Sequence, residues 1–220
     1  MATLQEVLTH ITGHLAGTPT QITWRDFTVV PRSPQPPATA FTFTDFGFSA
    51  AFPTRPDSNG TYRLSNVHVR VHMNRGRSWV VSGAQSSALL NHEQGHYTIT
   101  WTVARDLCRS LIEMEWDATL LQSTGVTDVP GFLRRETNAA SMAARSSATA
   151  LNALYDSPVG GAKNAAGVIV PAAQSNWDQM LDYAVTNDTA IPLLTSMLKS
   201  ISATPAQWSN LPRATPPATP

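Results

Sequence analysis

A single cysteine, Cys108, leaves no possibility of a disulfide within the chain. It stands among Val103, Leu107 and Leu111 at helical spacing, which suits a small buried hydrophobe better than a reactive thiol. Charge is also scarce. Asp, Glu, Lys and Arg make up 14% of the 220 residues, fifteen of each sign, for a formal net charge of zero. Without a basic excess or stripe, nothing supports nucleic acid as a partner. No apolar run approaches the ~20 residues needed to span a bilayer, so no membrane span is expected. The first residues, Met1-Ala2-Thr3-Leu4-Gln5-Glu6, carry neither a basic region nor an apolar core. A secretory signal is therefore not expected, leaving a cytoplasmic location or export by a non-classical route.

The length suits one domain, taken as residues 1–203, with a β-rich part over 20–80 and a helical part over 83–203. Residues 204–220, with Pro205, Pro212, Pro216, Pro217 and Pro220, form a proline-rich tail. Near the start, Leu4, Val7, Leu8, Ile11 and Leu15 predict an amphipathic helix bearing His10 and His14 one turn apart. Ile22 to Phe27 has strand character, and residues 31–37 form a stiff proline-rich connection. Alternation over 40–48 sets Phe41, Phe43 and Asp45 against Thr42, Thr44 and Phe46. Val67 to Met73 alternates strictly, with Val67, Val69, Val71 and Met73 apolar and His68, Arg70 and His72 polar. Histidines four apart on a strand are about 13 Å apart and cannot share one ion.

From about residue 83 the period becomes helical. Ser82, Ser86 and Ser87 are competing caps for a helix running to about Gln122. Pro130 fits the first turn of a second helix over 131–155. Ser157 to Gly161 breaks that helix, and further helices are expected over 171–184 and 191–201. The fold class is α+β: a small β-sheet, then a long helix in an antiparallel helical hairpin.

The chemistry lies in His92-Glu93-Gln94-Gly95-His96. On a helix the two imidazoles share one face, one turn apart, and can meet one Zn²⁺ at ~2.0–2.1 Å. Glu93 can stay outside the inner shell and take the proton of a water that the ion polarises. Gly95 weakens the helix, which makes sense if something must approach its backbone closely.

A catalytic zinc needs a third protein ligand and an open position. Asp106 lies ten residues past His96, about 15 Å along the axis, too far to serve. If helices 85–122 and 131–155 pack antiparallel, position 94 faces about position 159, whereas Glu136 faces about 117. Tyr155 and Asp156 fall near the motif, so Asp156 is the candidate third ligand. Tyr155 is a candidate donor to a tetrahedral oxyanion. Trp79, Tyr97 and Trp101 suit either an aromatic cleft or the core.

Ser78-Trp79-Val80, Ala88 to Tyr97 and Ala104-Arg105 together resemble a bacterial domain family described as predicted secreted zinc-dependent proteases. The resemblance extends to Thr23 to Phe27, Ala40 to Thr42, Leu154 to Asp156 and Gln174 to Trp177, spanning roughly residues 22–182. It implies His92 and His96 as ligands, Glu93 as general base, and a zincin-like hydrolase acting on a peptide or protein substrate. Where the family follows its Tyr-Asp with a Thr and then a His-Gly pair, this chain has Val159 and Gly161-Ala162. The expected function is a zinc peptidase. The alternatives are a zinc-binding but catalytically inactive interaction module and, more distantly, a metal amidase acting on cell-wall peptides.

Overall fold

The computed structural model describes Leu15, residues 19–189 and Ile191. The helix expected over residues 3–15, with His10 and His14, lies outside the described residues apart from Leu15. The helix expected over 191–201 lies outside them apart from Ile191, and the proline-rich tail lies outside them entirely.

Among the described residues the molecule is mixed α/β, with three small sheets rather than the one expected. Strand β1 (Thr28–Val30) runs parallel to β6 (Trp79–Val81), which also pairs antiparallel with β2 (Ala40–Phe41). Strand β3 (Thr44–Ala51) pairs antiparallel with β5 (Ser65–Met73), and β4 (Thr61–Arg63) with β7 (Glu115–Asp117). In β5, Val67, Val69 and Val71 are buried while His68, Arg70 and His72 face solvent, as the alternation predicts.

Ile22 to Phe27 is not a strand. Thr23 opens a 3-10 turn over Trp24–Asp26, its backbone N–H and hydroxyl both donating to the Asp26 carboxylate. That local cap outcompetes the extended conformation. The 40–48 stretch is likewise divided. Between β2 and β3 the chain changes partners, with Phe43 N–H donating to Ser78 Oγ at 2.9 Å and its carbonyl accepting from Asn74 N–H at 2.9 Å. The exchange leaves Thr42 buried and directed at Glu93.

Helix α1 (Ser87–Glu113) forms the centre of the molecule. Ser86 caps it, its Oγ accepting from Leu89 N–H. From Gly95 to Arg105 every residue is buried, a pattern of a helix enclosed on all sides. The enclosing elements are β3 and β5 on one side and α3 (Val129–Tyr155) and α4 (Pro171–Thr186) on the other. Polar residues inside it are satisfied locally, Thr100 and Thr102 each donating to the carbonyl four residues back. Arg105, 2% exposed, ties α1 to the end of α4 through the carbonyls of Ala184 and Thr189 and the Asp188 carboxylate.

The first helix ends at Glu113, not near Gln122. Glu115–Asp117 leaves as β7 to pair with β4, and Asp117 then caps the short α2 (Ala118–Ser123). Asp128 caps α3, with Pro130 in its first turn. Trp79, Tyr97 and Trp101 are core residues, all less than a tenth exposed. Cys108 is buried as expected, which pushes its thiol up to about 11. No helix among the described residues is long and apolar enough to cross a membrane.

Candidate metal centre

Helices α1 and α3 pack side by side, as expected, but in a shifted register. His92 meets Asp156 and His96 meets Asn152, so position 94 faces about position 154 rather than 159. The shift still brings Asp156, the C-cap of α3, onto the histidine face. His92 Nε2 lies 3.0 Å from Asp156 Oδ1 and His96 Nε2 lies 3.4 Å from the same oxygen. One nitrogen from each histidine and a carboxylate oxygen fall within 4.8 Å of one another. His92, His96 and Asp156 thus form a group able to hold a metal ion, with the histidines buried and Asp156 exposed.

The far side of each ring fixes its tautomer. His92 Nδ1 is 2.9 Å from Gln174 Oε1, and His96 Nδ1 is 2.7 Å from Asn152 Oδ1. Both carboxamides are oriented by their other partners. Gln174 Nε2 donates to Asp178 Oδ1 and the Tyr155 hydroxyl, and Asn152 Nδ2 donates to the Ala148 carbonyl. The oxygens must therefore face the rings, which places the imidazole proton on Nδ1 of each. Both Nε2 lone pairs then point at an anionic oxygen. Three acceptors facing one another need a cation or a proton between them.

Electrostatics divides the two histidines. Burial is the largest influence on His92 and lowers its pKa, the Asp156 hydrogen bond opposing it. Burial also weighs most on His96, yet the Asp156 hydrogen bond, the charges of Glu93 and Asp156 and the Asn152 hydrogen bond together raise its pKa. Burial weighs most on Asp156 and pushes it up, yet its contacts with His92, His96 and Lys163 hold it far below the ordinary carboxylate range.

Glu93 is 1% exposed. Its Oε2 accepts from Thr42 Oγ1 at 2.6 Å, while Oε1 has no hydrogen-bond partner among the described residues. Tyr155 is fully buried, stacked on His92 at 4.5 Å between ring centroids, and burial pushes its phenol well up. Its hydroxyl accepts from Gln174 and packs on Gly95, where an added Cβ would fall 2.2 Å from the phenol oxygen. This is the close approach that Gly95 permits. Tyr155 takes no part in lining the adjacent cleft, of about 480 Å³, whose walls include Thr42, Phe43, His96, Arg145, Asn152 and Asp156. The Arg145 side chain is held there by the Asp45 carboxylate and the Phe46 carbonyl.

Sequence spacing missed four contributors, Asn152, Gln174, Thr42 and Lys163. Asn152 was within reach, one turn before Asp156 on the same face. Thr42 and Lys163 come from irregular segments whose placement no periodicity encodes. If the carboxamides hold the rings for a metal, Gln174→Leu is expected to weaken zinc binding about 10–100-fold, the usual penalty for losing such a partner. Chelator competition on the folded variant checks this, and unchanged zinc affinity would remove Gln174 from the site.

Searches against protein-family models, curated proteins and solved structures return no match.

Proposed function

We propose that this chain is a zinc-dependent hydrolase of peptide bonds, zincin-like and of the kind its family resemblance implies. His92, His96 and Asp156 are the ligands and Glu93 is the general base. One observation carries the reading: a buried carboxylate with an unpartnered oxygen stands beside a convergent His–His–Asp group. Leaving a buried acceptor unpaired costs about 1–3 kcal/mol, and more when it is charged. A fold retains such a group where it has a proton to collect.

Two imidazole nitrogens with one carboxylate oxygen suit zinc in both ligand type and number. When bound, the ion supplies Lewis acidity to a water and to the substrate carbonyl. Gln174 and Asn152 hold the rings with Nε2 forward. Glu93 Oε1 takes the proton of the attacking water and later returns it to the leaving amine, with Thr42 anchoring Oε2. Tyr155 backs His92 and seals the site behind it, so we assign it positioning rather than oxyanion binding. The cleft along β3 and α3, of about 480 Å³, is within the size range of ligand-binding clefts.

Purified without chelator, the protein is expected to carry about one zinc per chain by elemental analysis. Casein or peptidoglycan-derived peptides are expected to be cut, with chelator abolishing and zinc restoring the activity. A chain that holds zinc yet cuts neither substrate class would favour the interaction-module reading.

A further inference from the structure

Lys163 has no part in the chemistry above, yet its ammonium lies 2.5 Å from Asp156 Oδ1, the oxygen both histidines face. Its side chain is only 12% exposed. The backbone that carries it is fixed. Ala162 donates to the Tyr155 carbonyl and accepts from Val170 N–H, each at 2.8 Å, and Lys163 itself bridges Ile169. Gly161 packs so tightly that a Cβ there would fall 2.3 Å from the carbonyls of Leu154 and Ser157. Asp156 lines the main cleft, while Lys163 lines a second one of about 310 Å³ with Ala40, Leu89 and Ile169. The Lys163–Asp156 pair therefore joins a residue lining one cleft to a residue lining the other.

Resting on the reading of metal-dependent peptide hydrolysis, we propose that Lys163 holds the oxyanion that develops on the scissile carbonyl. Movement of charge favours it. As Glu93 takes the water proton it loses its charge, and the carbonyl oxygen gains one, so the net charge of the site is unchanged while the negative charge moves onto the oxyanion. An ammonium beside that oxygen has little to hold in the neutral amide and a full charge to hold in the oxyanion. The interaction therefore strengthens on the way to the transition state, which is what accelerates a reaction. Tyr155, the donor expected from the sequence, is buried behind His92 with its hydroxyl engaged.

In the step itself, the water oxygen bonds to the carbonyl carbon, the π pair moves onto the carbonyl oxygen, and Glu93 Oε1 takes the water proton. On collapse that pair re-forms the double bond, the C–N bond breaks, and the proton passes from Glu93 to the amine. Lys163 keeps its protons throughout and contributes only charge and hydrogen bonds.

The test uses a phosphinic dipeptide, a stable tetrahedral anion, titrated into the zinc-loaded full chain by calorimetry. Lys163→Met is expected to weaken the phosphinate about 10²–10³-fold, as loss of an oxyanion donor does. Zinc affinity, measured separately by chelator competition, is expected not to fall, because a cation beside Asp156 competes with the metal. Lys163→Arg is expected to recover most of the phosphinate affinity. Should Lys163→Met fail to fold, Lys163→Gln, which keeps a hydrogen bond without the charge, serves in its place. Wild-type phosphinate affinity in the uncharged variant overturns the oxyanion role while leaving the metal reading intact. A zinc-loaded wild type that ignores the phosphinate overturns it too. A wild type that holds no zinc sinks the metal reading, and this inference with it.

Discussion

Glu93→Gln is expected to lower hydrolysis about 10²–10⁴-fold, the usual contribution of a general base, while zinc content stays at the wild-type level. The substitution is nearly isosteric, so the reason must lie in protons. Thr42 Oγ1 donates to one Glu93 oxygen, and a glutamine presents its carbonyl there without rearrangement. Its amide group then occupies the place of Oε1, the oxygen without a partner. An amide nitrogen has no lone pair for a proton, so the water remains bound but unactivated. Stability should move the other way. Glu93 is buried and half-satisfied, and an amide removes a charge from a site where its desolvation is only partly repaid. The expected variant is at least as resistant to thermal unfolding as wild type, holds zinc, and turns over poorly. Wild-type turnover in Glu93→Gln would refute the general-base role outright.

The site was more legible than the frame around it. His92, Glu93 and His96 declare themselves because metal chemistry fixes their spacing on a helix, and that spacing is local. Asp156 was reached through a hairpin register that was itself displaced. The apolar period of α1 continues through Met114 and Leu121, and both are buried. What ends the helix at Glu113 is pairing of β7 with β4, a contact with a strand far earlier in the chain. With the helix assumed too long, the hairpin midpoint moved and position 94 was set against 159. Asp156 was still chosen because it was the nearest side chain able to coordinate, and neighbouring turns of a helix differ by little. The strand β5 was legible for the opposite reason. Its alternation is strict, and one face meets α1 while the other meets water. Gln174 escaped as a ring partner because it approaches from α4, through a connection with no period to count.

His96→Ala is expected to abolish stoichiometric zinc binding, the largest effect any single change at the site should have on the metal. Loss of an outer hydrogen-bond partner costs about 10–100-fold, and loss of a ligand must exceed that. What remains, His92 and Asp156, is a two-point site whose carboxylate is already held by Lys163. Asp156→Ala should fall between, since it leaves both helical nitrogens convergent but frees Lys163 beside the ion. Protons report the same site independently. The pKa of His96 is raised above its ordinary value of 6.5, so in the metal-free protein its proton stabilises the fold fully below about pH 6.5. That contribution is lost as pH rises through the raised value. Zinc behaves in the opposite sense, because it needs His96 neutral, and its affinity should climb about tenfold per pH unit until that proton is gone. Burial lowers the pKa of His92, so its proton competes with zinc at lower pH than that of His96 does. Zinc should therefore raise the unfolding temperature of wild type increasingly between about pH 5 and 8, a range that only histidine titration naturally covers. In His96→Ala both slopes should vanish together: no zinc-dependent stabilisation at any pH, and no mildly acidic optimum without zinc. Full zinc occupancy in that variant, or an unchanged pH slope, would place the metal elsewhere.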